Sequence, residues 1–351
     1  VTVVRVSHET DFAALGARWR DLEQRAAASF FQSWTWAGCL VAERFDDPVL
    51  VEATEGGRTV ALALFNRVRR WIGPSVLHLG ASGSADRDSP YVEQNGVLAE
   101  ANRVDELTRL CLGAVAFRYD LVLPGVDETL LQAARRAAGL VRVEGVQASP
   151  FVDLAGVRAV GGDYLAGCSA NTRQQIRRSD RLYEHDGPIE LERAHSVDRA
   201  LGMLEEMAVL HQAAWQARGE PGSFGRPFFR RFHRALITAA IPRGEVALFR
   251  LSSGGAVIGV LYNFVHRGRM LAYQSGFAYR ADEKRAKPGL TCHRRAIEAA
   301  LDAGLDRYDF LAGDDRYKRS LAGAAHQQIW ATAGPLWSPR MLLRTGLDRV
   351  R

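Results

Sequence analysis

Between Met270 and Gly323 the chain runs through an order of elements that few folds accommodate. A strand-like run, RMLAYQSGFAYR, leads into a basic loop, DEKRAKPGL; then come an amphipathic helical stretch, an apolar strand, RYDFLAG, and a short helix, DDRYKRSLAG. Strand, helix and strand in succession ask for a sheet with a helix laid against one face. Pro288-Gly289 stands just before the helix, so the backbone can turn tightly there and the first helical turn presents its orphan N–H groups near Leu290 and Thr291. Arg285 and Lys287 add full positive charges beside those donors and the positive end of the helix dipole. The segment is built to hold a phosphate or pyrophosphate, with a solvated basic turn capping a helix as the plainer use.

The remainder of the chain is organised as two parts. The first opens with a strand (VTVVRV) and a helix from Asp11 to Ala28, whose Phe12, Leu15, Trp19 and Leu22 recur at helical spacing. A second helix follows Ser33, a capping residue. Strands turning at Gly56-Gly57, a polar stretch at 81–96, a helix, the strand YDLVLPGV, another helix and a last strand complete that part. The second part repeats the order: helices at roughly Asp163–Tyr183 and Ser196–Arg218, then strands breaking at Gly254-Gly255 and Arg267-Gly268, then the segment above. The polar turn AGVRAVGG after Leu154 marks the boundary, giving domains 1–157 and 158–351. The fold class is α/β, two tandem domains, each a mixed, mostly antiparallel sheet flanked by helices.

Composition narrows the function. A net charge of +6 favours acidic partners such as phosphorylated cofactors, but the excess is spread along an arginine-rich chain whose only lysines are Lys284, Lys287 and Lys318. Cys39, Cys111, Cys168 and Cys292 form no metal or disulfide spacing, so no metal site is expected, and Cys168 and Cys292 read as small packing residues. No leader-like or membrane-spanning run is visible, which fits a cytoplasmic protein. Neither GxGxxG after the first strand nor GxxxxGK[ST] occurs, so the common nucleotide-binding loops are excluded.

Several segments resemble the BioF2-like or CelD-like acyltransferases, a branch of the GNAT superfamily related to the Fem peptidyltransferases. They are KPGL at 287–290, AIEAALDAGLDRYDFLAG at 296–313, DRYKRSLAG at 315–323, NTRQQIRR at 171–178 and HQAAWQARGEPGSF at 211–224, with FFQSWTW at 30–36 as an N-terminal counterpart. The resemblance implies two GNAT-like domains and direct attack of an amine or hydroxyl on an acyl thioester, with acyl-CoA, acetyl-CoA foremost, as donor. The acceptor would be a small molecule or saccharide: a sugar, an envelope precursor or a specialised metabolite. The family's Gln/Arg-x-x-Gly-x-Gly/Ala loop is only loosely matched here.

Such a transfer needs a base for the nucleophile, donors for the oxyanion and a proton for the leaving thiolate. The resemblance gives Tyr317 the thiolate. Asp309, Asp314 and His211 are candidate bases, with helix capping by Asp314 as its plainer use. Gln274, Ser275, Gly276, Arg285, Lys287, Gly289, Leu290 and Lys318 are donor-binding candidates; Arg173, Arg177, Trp215 and Tyr262 are acceptor-side candidates. Two other functions stay open: Fem-like transfer from aminoacyl-tRNA, the one case that would make nucleic acid a partner, and a non-catalytic binding protein. The basic C-terminal segment LWSPRMLLRTGLDRVR is expected to dock on its own domain. A monomer or homodimer is expected.

Overall fold

The computed structural model describes residues 1–8, 11–280, 283–313 and 315–348, with side chains to 343. In chain order the elements are β1 (Val3–Ser7), α1 (Phe12–Arg25), α2 (Trp34–Glu43), β2 (Pro48–Glu55), β3 (Arg58–Val68), β4 (Val76–Leu79), β5 (Leu98–Ala99), α3 (Val104–Ala116), β6 (Asp120–Val126), α4 (Glu128–Ala137) and β7 (Leu140–Asp153). There follow α5 (Leu154–Ala159), α6 (Ala170–Glu184), β8 (Ile189–Arg193), α7 (Val197–Gln216), α8 (Pro227–Ala240), β9 (Val246–Ser253), β10 (Ala256–His266), β11 (Arg269–Phe277), α9 (Pro288–Asp302), β12 (Arg307–Asp309), α10 (Arg316–Leu321), β13 (Ala324–Gly334) and α11 (Pro339–Asp348).

The chain forms two compact units, residues 1–147 with 327–351, and residues 148–326. The expected division at 157/158, with a second domain running to 351, is thereby corrected. The AGVRAVGG stretch is no linker, because Asp153 accepts the Gly156 N–H at 3.0 Å and starts the short helix α5.

In the first unit β1, β2, β3 and β4 are antiparallel neighbours, and β4 then pairs β6 in parallel through Val76–His78 against Asp120–Val122. Residues 329–333 of β13 cover the far side of β6. The second unit repeats the pattern: β8, β9, β10 and β11 are antiparallel, β11 pairs β12 in parallel, and Phe151–Asp153 of β7 line the far side of β12. In both, two helices separate the first strand from the second and one helix bridges the parallel pair. The duplication expected from element order is therefore present in strand order and direction, in the tandem GNAT-like arrangement.

Each sheet is covered on both faces. In the first unit Val51, Phe65 and Leu77 pack against Leu107, Cys111 and Leu130 of α3 and α4. In the second, Phe249, Leu261 and Met270 pack against Ile176 of α6 and Cys292, Ala296 and Ile297 of α9. Burial raises the thiol of Cys111 to about 12, and that of Cys292 further, as fits packing residues. Two elements of the second unit went unread in the sequence. α8 is an aromatic helix with Phe228, Phe229, Phe232 and Leu236 buried, and β8 is a short edge strand with no buried residue.

Candidate active site

The site begins with a divergence in the second unit's sheet. β12 pairs β11 only from Arg269–Leu271 to Arg307–Asp309, whereas β11 continues to Phe277 along β10. Past Leu271 the two parallel strands part, and the β11 edge from Tyr273 to Phe277 faces a cleft. Uncovered backbone N–H and C=O groups on a strand edge are ready partners for an extended amide-bearing ligand.

Helix α7 closes one wall. A Cβ on Gly276 would stand 2.4 Å from the Met207 carbonyl oxygen, so only glycine lets α7 approach this strand. One turn on, His211 is buried: its Nδ1 lies 3.1 Å from the Ser275 carbonyl, and its Nε2 accepts the Ser223 N–H at 3.4 Å. That pairing sets a neutral tautomer, and burial lowers the imidazole's pKa. Trp215, one turn further, lies 5.7 Å from the His211 ring.

Helix α9 forms the opposite wall. Pro288 occupies its first turn, which carries no acidic residue, and Lys287 precedes it. Gly289 lies inside that turn, where a Cβ would come only to 3.4 Å from the Phe277 ring; the tight-turn role expected of it is not the one it plays. α6 holds the turn in place. Ser179 Oγ accepts the Lys287 N–H at 2.8 Å and lies 2.9 Å from Thr291 Oγ1. Asp180 accepts from Thr291 Oγ1 and from the Arg294 guanidinium, both at 2.8 Å. Lys287 Nζ donates to Gln175 Oε1 at 2.6 Å.

Between these walls lies a cavity of about 670 Å³. It gathers His211, Trp215, Gln274, Ser275, Gly276, Lys284, Lys287, Gly289, Leu290 and Tyr317, all singled out in the sequence, and adds Arg218, Tyr279 and Arg280, which were not. A second cavity of about 510 Å³ shares Lys287, Leu290 and Tyr317 and is otherwise lined from α6 and α10, with Arg178 and Arg316 and, among the described residues, no carboxylate.

Tyr317 stands at the junction. Its ring stacks 5.7 Å from that of His293, and burial, with Asp315 and Tyr279, raises its hydroxyl above the ordinary tyrosine value. The phenol is therefore protonated at neutral pH. His293 went unnoticed in the sequence, where a lone helical histidine gives no signal. Its Nδ1 is 2.9 Å from Tyr308 Oη, its buried Nε2 has no partner in the structure, and burial together with Lys318 lowers it to about 3.

Other candidates lie elsewhere. Tyr262 is fully buried among His233, Phe264 and Tyr273, so it packs the core and does not meet an acceptor. Asp309 is likewise fully buried, held by Ser149 Oγ at 3.0 Å and the Leu311 N–H at 2.8 Å, with His326 Nδ1 3.7 Å away; burial raises its carboxyl. Lys318 donates to the Ala312 carbonyl at 2.8 Å and does not line the first cavity. Arg173 caps the Cys168 carbonyl at 2.5 Å, while Arg177 is exposed and lines neither cavity. Arg285 is exposed outside the lining. Asp314 falls outside the described residues.

A profile of the acetyltransferase (GNAT) domain family matches residues 170–319, the stretch that builds both cavities. No curated protein sequence matches the chain. Among solved structures the chain is similar to FemX, with a TM-score of 0.58 at 9% identity over 98% of this chain and 100% of that one. It is also similar to L-PGS from Bacillus licheniformis, with a TM-score of 0.55 at 10% identity over 94% and 96% of the two chains. A DUF2156 domain from Agrobacterium fabrum gives 0.56 at 12% over 97% and 96%. At these identities the likeness is one of fold. The profile match gives residues 170–319 a GNAT-type acyltransferase domain, and the duplicated topology repeats its strand pattern in the first unit.

Proposed function

We propose that this protein transfers an acyl group from acyl-CoA to an amine or hydroxyl of a small molecule or saccharide, by direct attack in the cavity between β11 and α9. The observation that carries the reading is the pairing of an uncovered strand edge with an acid-free helix N-terminus across one cavity. The β11 edge at Gln274–Gly276 accommodates the amide-bearing arm of the donor. Its diphosphate is held at the start of α9 by the Gly289 N–H and by Lys287, where dipole and ammonium act together. Tyr317 donates its O–H to the departing thiolate, which forms as the C–S bond breaks and the new C–N or C–O bond closes. His211, with both nitrogens bound to backbone, holds Ser275 in place; the acceptor's own proton leaves through water.

Calorimetric titration with a panel of acyl-CoAs tests the donor: micromolar to millimolar binding is expected, and no binding by folded protein to any member refutes the reading. A second reading, transfer from aminoacyl-tRNA, is favoured by the second cavity, whose Arg178, Lys287 and Arg316 offer more cations than a single diphosphate needs. Acyl-CoA turnover in the absence of RNA excludes it as the main activity.

A further inference from the structure

The first unit carries a surface that no part of the transfer chemistry uses. At the turn between β3 and β4 Trp71 is fully exposed, at 105% of its reference area, and Ile72 beside it is also exposed. Leu336 and Trp337, just before α11, and Leu342 and Leu343 on α11 are exposed as well. The two segments touch: a Cβ on Gly73 would lie 3.3 Å from Pro339 Cδ. Met341 is fully buried, so α11 docks by its inner face, within the first unit and not on a domain 158–351 as expected from the sequence, and presents two leucines outward.

Charge distinguishes this patch from an ordinary apolar contact. Residues 67–78 (RVRRWIGPSVLH) and 335–343 (PLWSPRMLL) contain no Asp or Glu, and between them carry Arg67, Arg69, Arg70 and Arg340. Asp47 neutralises the first two. Burial lowers His78 to about 4, with Asp88 opposing the fall and Arg340 and Arg70 adding to it. Trp71 is fully exposed and lines neither cavity of the candidate site, so the patch is a projecting wedge.

We infer that this face binds the surface of an anionic lipid bilayer, with Trp71, Ile72 and Trp337 entering the headgroup–acyl boundary and Arg70 and Arg340 meeting lipid phosphates. Tryptophan rings combine an apolar body with an N–H donor and favour that boundary, and basic residues beside an apolar helix face add attraction to anionic lipid. A protein partner would need a complementary socket for a projecting indole; a fluid bilayer needs none.

Flotation of the full chain with phosphatidylcholine vesicles, with and without phosphatidylglycerol, tests the inference. The protein is expected to float with the anionic vesicles, less so at high salt, and at least tenfold more weakly as Trp71→Ser/Trp337→Ser. Ile72→Asp supplies a second variant should the first misfold, and donor binding by either, measured calorimetrically, is expected to match that of the parent chain. No flotation with anionic vesicles, or equal flotation by the variants, overturns the inference. So does a concentration-dependent dimer that the same substitutions dissolve, since a second copy would then cover the patch.

Discussion

After β4 in the first unit and after β11 in the second, the chain leaves the sheet at the same topological point and meets opposite electrostatics. In the first unit the departing loop supplies its own anion: Asp88 accepts the N–H groups of Ser82 at 2.7 Å and Gly83 at 2.8 Å, and pairs with Arg44 at 2.6 Å. The bridging helix α3 opens with Asp105 and Glu106. In the second unit α9 opens with no acid, behind Lys287. The first unit's loop closes two backbone donors on a carboxylate, whereas α9 begins beside a lysine with no acid in its first turn. A shared fold does not confer a shared site; the two repeats differ in the charges at this loop.

Substitutions can break this contrast. Asp88→Ala should have the largest effect, since it strands the fully buried Arg44 charge. A loss of about 3 kcal/mol in urea unfolding is expected, with donor affinity of the folded protein unchanged. Tyr317→Phe should lower kcat about a hundredfold with little change in donor Kd, as removal of a general acid does; equal turnover would remove Tyr317 from the chemistry. Acid should weaken the second unit through His293, whose pKa is depressed from 6.5 in the unfolded chain to about 3. Its contribution is complete above pH 6.5 and falls by roughly 1 kcal/mol per unit as pH drops towards 3, a slope that His293→Gln should flatten in pH-dependent unfolding. Lys287→Met should weaken donor binding about tenfold by calorimetry. Asp105→Asn/Glu106→Gln should change donor affinity by less than about twofold, because Asp88 still occupies the first unit's loop. A second binding event in that variant would mean that α3's acids alone keep the first repeat silent.

The lining of the first cavity was legible in the sequence because its parts are local: the alternating strand, two of the lysines and the Pro-Gly pair lie within one stretch of 274–290. Tyr317 was legible through family likeness. What sequence could not convey was direction. Tyr262 and Asp309 sit on strands whose faces alternate, and burial assigned both to the interior. Lys318 and Arg173 were charges that found backbone carbonyls nearby. His293 and Ser179 escaped notice because each matters through a partner distant or cryptic in sequence. β8 was invisible for another reason: an edge strand alternating half-buried and exposed residues carries little apolar signal.

The grip of α6 on α9 has a consequence for how the protein is made. Ser179 meets Thr291 across 112 residues, and Asp180 meets Arg294 across 114. During synthesis α6 emerges long before its partner, so Asp180 waits in water through the making of β8 to β11. The first repeat can fold most of its sheet while the second is still being translated, but the ligand pocket closes only once α9 is out. Ribosome-stalled chains ending before residue 288 should thus be recognisably folded and wholly unable to bind donor.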